Sequence, residues 1–364
     1  MVGEQGRIHN FGAGPAVLPL SVVEACRDEL ANLNSSGFGL MEVSHRSPTF
    51  QAVIDDAMTR VRRVLSIPED YTLLFLQGGA SLQFHMSALN LLAPGEQADF
   101  LVTGGWSQKA LQEAGRVGDA RAIWDGSSDA FRSIPRRGEY DLREDSVYLH
   151  YTSNNTLFGT QYHALPQSGG KPLVVDASSD ICGVSLDVSA HDLIYAGAQK
   201  NLGPSGVTLV ILSPWAMSRC PENLPAMLDY RVHAAKGSMF NTPNTYGIFV
   251  LGQVFRWLEQ QGGLPASIIR NQVKSGLLYT ELDRSDLWRP HAEVDSRSLM
   301  NVTWRLRERS LESRFLEEAK AVGLGGLKGQ HSVGGIRASI YNGCPTESVE
   351  ALVGFMQEFA ARHG

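Results

Sequence analysis

DLIYAGAQKNLGPSGVTLVIL, residues 192–212, reads as two short apolar strands, DLIYA (192–196) and VTLVIL (207–212), joined by a glycine-rich segment. That segment carries one charged side chain, Lys200. The strands do not alternate polar and apolar residues, so both of their faces are expected to be covered, as in a mainly parallel sheet with helices on either side. Small residues flank Lys200 and leave room for something to approach it closely. A lysine pressed into such a place loses hydration, its pKa falls, and the amine becomes nucleophilic. A solvated lysine on a surface turn is the competing reading.

Working outward, similar strand-like runs recur at YTLLFL (71–76), ADFLVT (98–103), SVYLHY (146–151) and PLVVD (172–176). Helix-length segments or glycine-rich turns lie between most of them. SVVEACRDEL (21–30) opens with a capping-box pattern, Ser21 and Glu24, and places Val22, Cys26 and Leu30 at helical spacing. QAVIDDAMTRVRRVL (51–65) repeats the pattern with Val53, Ala57, Val61 and Val64. From about residue 262 the chain becomes more charged. A long helix is expected there, then strands at 300–307 and 336–342 around a helix at 313–323. The sequence therefore predicts an α/β protein with a large domain over 15–261 and a smaller α+β C-terminal domain over 262–364. Residues 1–14 form an N-terminal arm near the site.

The bulk properties narrow the function. The chain has 364 residues, 43% of them hydrophobic, with a net charge of −6. That is ample for a buried core, and the absence of a dense Lys/Arg block argues against nucleic acid or an anionic membrane as partner. The four cysteines, Cys26, Cys182, Cys220 and Cys344, show no CxxC or metal-binding spacing and read as reduced thiols. No apolar run has signal-peptide or membrane-spanning length, so a cytoplasmic protein is expected.

In an open α/β sheet, ligands gather at the carboxyl ends of the strands, so strand ends collect candidate site residues. LLFLQGGAS ends in two glycines before Ala80, Ser81 and a helix, where free N–H groups could hold a phosphate; an ordinary strand-to-helix turn is the alternative. FLVTGGW places Trp106 after two glycines, as a ligand-stacking plate or as a core tryptophan. YTSNNTLFGT offers Thr156 from a polar loop. PLVVDASSD ends in Asp176, a helix cap or a ligand group. Together these ends supply an amine, a carboxylate, an aromatic plate and a phosphate cradle. Pyridoxal phosphate needs that set: its aldehyde condenses with a lysine, its ring nitrogen pairs with an anion, its ring stacks and its phosphate takes N–H donors. Lys200, Asp176 and Trp106 are thus the predicted catalytic residues.

NFGAGPAVLP, MEVSHRS, TGGW, VDASS, IYAGAQKNLGPSG, GSMFNTP and VGGIRASIYN occur in that order between residues 10 and 342. In these motifs the chain resembles the phosphoserine aminotransferases, class V aminotransferases of the fold-type I pyridoxal-phosphate group. The resemblance implies that Ala80, Ser81 and Gln199 hold the cofactor phosphate, that Trp106 stacks on the ring, and that Thr156 contacts a ring substituent. Asn241 and Thr242 would reach the phosphate from a neighbouring subunit, which implies a homodimer with shared sites. Arg337 would bind the substrate α-carboxylate, and His45 and Arg46 its distal anion. The implied reaction converts 3-phosphohydroxypyruvate and glutamate to phosphoserine and 2-oxoglutarate in serine biosynthesis, with 4-phosphohydroxythreonine of vitamin B6 synthesis as a second candidate substrate.

Two departures stand out. The family commonly has GHR where this chain has Gly329, Gln330 and His331, so an arginine for the distal phosphate is missing and His331 is left to supply part of the charge. Ala13 replaces a serine common among relatives. An aminotransferase for unphosphorylated amino acids is therefore the main rival. A cysteine desulfurase would need a mobile cysteine, and Cys344, beside a proline, is the only C-terminal candidate. A nicotinamide dehydrogenase fails for want of a G-x-G-x-x-G after the first strand.

Overall fold

The computed structural model describes residues 6–331 and 333–364. Seven strands form the central sheet: β1 (Thr72–Leu76), β2 (Gln97–Val102), β3 (Asp119–Asp125), β4 (Ser146–Thr152), β5 (Leu173–Asp176), β6 (Leu193–Gly197) and β7 (Thr208–Leu212). Their order is β1-β7-β6-β5-β4-β2-β3. Neighbours from β6 to β3 run parallel, whereas β7 is antiparallel to both β6 and β1. The reversal has a simple cause. Residues 198–207, between β6 and β7, contain no helix, and a connection that short cannot cross over to a parallel neighbour.

Both faces of the sheet are covered, as the apolar runs require. Side chains alternate between two cores: Leu73 and Phe75 of β1 enter one, Leu74 and Leu76 the other. The first core includes Val53, Ala57 and Val61 of α2 (Pro48–Leu65); the second includes Phe84, Met86 and Leu91 of α3 (Gly79–Leu91) and Ala110 of α4 (Gly105–Ala114). The expected helical stripe on α2 is thus the buried one, and Ser47 caps it through Phe50 N.

The predicted capping box at Ser21 does not form. Helix α1 (Leu20–Glu29) begins two residues earlier, behind Pro19, with no side-chain cap bond. Proline fixes φ and so sets the entry to the helix without help from Ser21. Strand β3 is absent from the sequence expectations for a physical reason. It is the sheet's edge, and its DARAIWD side chains are mostly exposed or half-buried.

The C-terminal part builds a separate three-stranded antiparallel sheet from β8 (Trp288–Pro290), β9 (Asn301–Leu306) and β10 (Ile336–Ser339), in the order β8-β9-β10. Helices α6 (Gly263–Arg284), α7 (Leu311–Ala321) and α8 (Thr346–His363) pack on it around Trp288, Trp304, Phe315 and Phe359, while α5 (Thr245–Gln260) packs on α2. Of the expected arm, residues 1–5 lie outside the described residues; His9–Asn10 pairs in parallel with Leu324–Gly325, and Phe11 enters this third core. No helix among the described residues is long and apolar enough to cross a membrane. All four cysteines are free and buried.

Candidate active site

Lys200 lies just past the carboxyl end of β6, in the β6–β7 connection. Its Nζ donates to Thr156 Oγ1 at 2.8 Å. Burial pulls its pKa down to about 8; Asp176 and Asp180 oppose that, and Arg337 adds to it. The sequence expectation of a desolvated amine is therefore met by burial, against the two carboxylates.

Asp176 is the last residue of β5 and is buried. Its Oδ1 accepts from Ser178 N at 3.0 Å and Ser178 Oγ at 2.6 Å. Burial raises its pKa, while Lys200 and the Ser178 bonds pull it back. Arg337, on β10, reaches the same place from the small sheet: its Nη1 lies 3.4 Å from Thr156 O. Burial is the main influence on the guanidinium, which stays charged across the working range.

At the end of β1, Gly78 and Gly79 have φ of 91° and 65°, and α3 starts without a side-chain cap. Gly79 needs that left-handed backbone, and a Cβ built on it would meet nothing within 4 Å. The first N–H groups of α3, including those of Ala80 and Ser81, have no side-chain cap and stand at the positive end of a helix. Gln199 precedes Lys200, and its side chain packs close to Gly14 of the arm. Gly104 approaches Asn155 so closely that any side chain there would collide, and this seats the start of α4 and Trp106. Trp106 is half-buried, with Lys109 Nζ 4.5 Å from its ring centroid.

Several buried polar atoms here have no partner among the described residues: Trp106 Nε1, Thr152 Oγ1, Asn155 Oδ1 and Arg337 Nε. Orphaned polar groups around an amine, a carboxylate and an open helix start fit a polar, anionic ligand. The pyridoxal-phosphate requirements and the residues present agree.

The remaining predicted residues lie on other segments. Asn241 and Thr242 lie beside the end of β1, where Gln77 Nε2 donates to Thr242 O at 2.9 Å. His45 is half-buried and Arg46 exposed in the loop before α2, and His331 is exposed. No hydrogen bond among the described residues joins any of these five to Lys200, Asp176 or Arg337. Cys344 is buried, and burial pushes its thiol up to about 11, so it offers no mobile sulfur nucleophile.

Sequence reading missed the supports. Ser178 and Asp180 follow Asp176 within the VDASSD stretch already singled out, so a second acidic residue four positions on was visible as a signal. Ser153 and Gln161, which bind Asp180, gave none.

This fold and this cluster define a class: the class V aminotransferase family matches residues 8–352. The phosphoserine aminotransferase of Syntrophobacter fumaroxidans is 50% identical over 98% of this chain and 99% of its own. The phosphoserine aminotransferase structure from Bacillus circulans subsp. alkalophilus superposes with a TM-score of 0.96 at 43% identity, covering 98% of this chain and 99% of that one. A pyridoxal-phosphate-bound one from Trichomonas vaginalis gives 0.92 at 33%, covering 96% and 100%. The chain belongs to the phosphoserine aminotransferase family of class V, within the fold-type I pyridoxal-phosphate enzymes, and is a transaminase dependent on that cofactor.

Proposed function

We propose that the chain transfers an amino group between glutamate and 3-phosphohydroxypyruvate, yielding 2-oxoglutarate and phosphoserine, and works in serine biosynthesis in the cytoplasm. The observation that carries this reading is the convergence of Lys200, Asp176 and Arg337 on one place, in a chain about half identical to phosphoserine aminotransferases. 4-Phosphohydroxythreonine, with a phosphate at the same end, is a candidate second substrate.

Bound here, pyridoxal phosphate supplies an aldehyde for the amine and a ring that accepts electrons from the substrate's α-carbon. Asp176 would hold a proton on the ring nitrogen, and burial with fixed Ser178 donors keeps its orientation. Trp106 would cover the ring, and Thr156 would orient a polar substituent. The N–H groups and hydroxyl at Ala80 and Ser81, with Gln199, would hold the phosphate. Lys200 Nζ moves the proton at the substrate α-carbon, for which a pKa near neutrality suits a general base. Arg337 forks onto the α-carboxylate.

The unit of function in this reading is a homodimer. Asn241 and Thr242, beside the end of β1, would complete the phosphate site of the other copy. His45, Arg46 and His331 would meet the distal anion, phosphate or carboxylate in turn. The cleft would lie between a large domain, 15–261, and a small one, 262–364. A half-reaction assay tests the whole reading. The visible spectrum should change on adding phosphoserine or glutamate and remain unchanged with serine; a response to serine equal to that with phosphoserine would overturn it.

A further inference from the structure

Asp180 has no role in the scheme above, yet it is among the most buried ionisable groups near Lys200, at 2% exposure. Its two oxygens are each engaged. Ser153 Oγ lies 2.5 Å from Oδ1, and Gln161 Nε2 donates to Oδ2 at 3.0 Å. Ser153 and Gln161 bracket the loop that carries Thr156, the hydrogen-bond partner of Lys200. Gln161 also accepts from Leu299 N at 2.8 Å, which ties the same loop to the approach to β9. Ser153 Oγ in addition lies 3.2 Å from Asp176 O.

A buried carboxylate met only by neutral donors is costly unless a cation balances it. The cation within electrostatic reach is Lys200. The groups that act on that amine are Asp176 at the end of β5, Asp180 in the turn after it, and Arg337 from β10. Without Asp180, the amine would keep Asp176 as its one balancing carboxylate, with Arg337 opposed.

We infer that Asp180 is a positioning residue for the reaction: its carboxylate anchors the Thr156 loop to the turn after β5 and supplies the second negative charge that keeps the Lys200 amine in its working protonation range. Burial raises Asp180 to about 6, against the bonds from Ser153 and Gln161 and the pull of Lys200. The charge is therefore present in the neutral range and fades on mild acidification. Loss of that charge lowers the affinity of Lys200 for a proton.

The inference rests on Lys200 as the reactive amine, and its test separates the two. In the cofactor-free chain, the pH dependence of Lys200 labelling by trinitrobenzenesulfonate, read by peptide mass spectrometry, gives the amine's midpoint directly. Asp180→Asn and Asp180→Ser should lower that midpoint by about half a unit to one unit, a ~3- to 10-fold loss of proton affinity. Asp180→Glu, which keeps the charge, should stay close to the unsubstituted chain. The unsubstituted chain itself should show a second inflection on the acid side as Asp180 titrates. In the cofactor-loaded enzyme, the midpoint of the visible-band titration should move the same way in both neutral variants. A purely structural role predicts lower thermal stability in all three variants with the lysine midpoint unmoved, and that result, or a lysine profile with no acid inflection, overturns the inference. Cofactor label on another lysine would instead sink the reading of Lys200 and leave the Asp180 measurement standing by itself.

Discussion

Lys200 is a single amine on which opposing effects meet: burial pulls its proton off and prevails, while two carboxylates hold it on. A pKa lowered to about 8 has a direct kinetic consequence, because only the neutral amine attacks an aldehyde. The rate at which the cofactor-free chain takes up pyridoxal phosphate should rise with pH through about 8 and level off above it, as followed by the growth of the visible band. An unshifted lysine would keep climbing for two further units or so. Asp176→Asn should keep the cofactor yet lose activity by roughly 10²- to 10³-fold, the usual cost of removing one preorganised electrostatic partner, measured as kcat. If Arg46 and His331 meet the distal anion, the planar guanidinium can fork onto it with paired N–H donors and the imidazole cannot. Arg46→Ala should therefore reduce kcat/KM for phosphoserine by roughly 10- to 150-fold, the range for one charge-assisted hydrogen bond, and His331→Ala by much less. At this scale the sequence was informative about the residues that end strands. Lys200, Asp176, Thr156 and Trp106 all stand where an α/β sheet gathers ligands. Asp180 escaped notice because what makes it unusual, two neutral donors brought from a different loop, exists only once the chain has folded.

Elements were legible in proportion to their burial. β4, β5, β6 and β7 are buried almost throughout and announce themselves as apolar runs. β3 is half wet, and nothing in DARAIWD separates it from a loop. It is held by its parallel partner β2 and by a polar cluster at the amino ends of the strands. There Arg143 Nε donates to Asp99 Oδ1 at 2.6 Å, its Nη1 to Gln97 and Asp119, and its Nη2 to Ala98 O and Asp119 O. Asp99 is fully buried, so its charge has no solvent to fall back on. Arg143→Leu should cost ~3–5 kcal/mol in urea unfolding, the range for stranding one partner of a buried pair. Adding Asp99→Asn to that variant should recover part of the loss; simple additivity would show that the two residues act independently.

At the scale of the whole molecule, the site is a meeting of distant segments: the arm through Gly14, the ends of β1, β2, β5 and β6, the loop with Thr156, and β10 through Arg337. The sequence could list these pieces but could not say whether a second copy adds to them. Asn241, Thr242, His45 and Arg46 were legible only through resemblance, since nothing in their local pattern points to a ligand. If they complete a neighbour's site, mixing Lys200→Ala chains with Asn241→Ala/Thr242→Ala chains should restore part of the activity. In each heterodimer one site would regain both functions. Heterodimers that form and stay inactive would place the phosphate site within one chain. All of this depends on the half-buried amine between β6 and β7 being the point at which the cofactor is held. The most direct test is borohydride reduction of the loaded enzyme followed by peptide mapping. The account predicts a single cofactor-bearing peptide with the label on Lys200, and none in Lys200→Ala; label on any other lysine would contradict it.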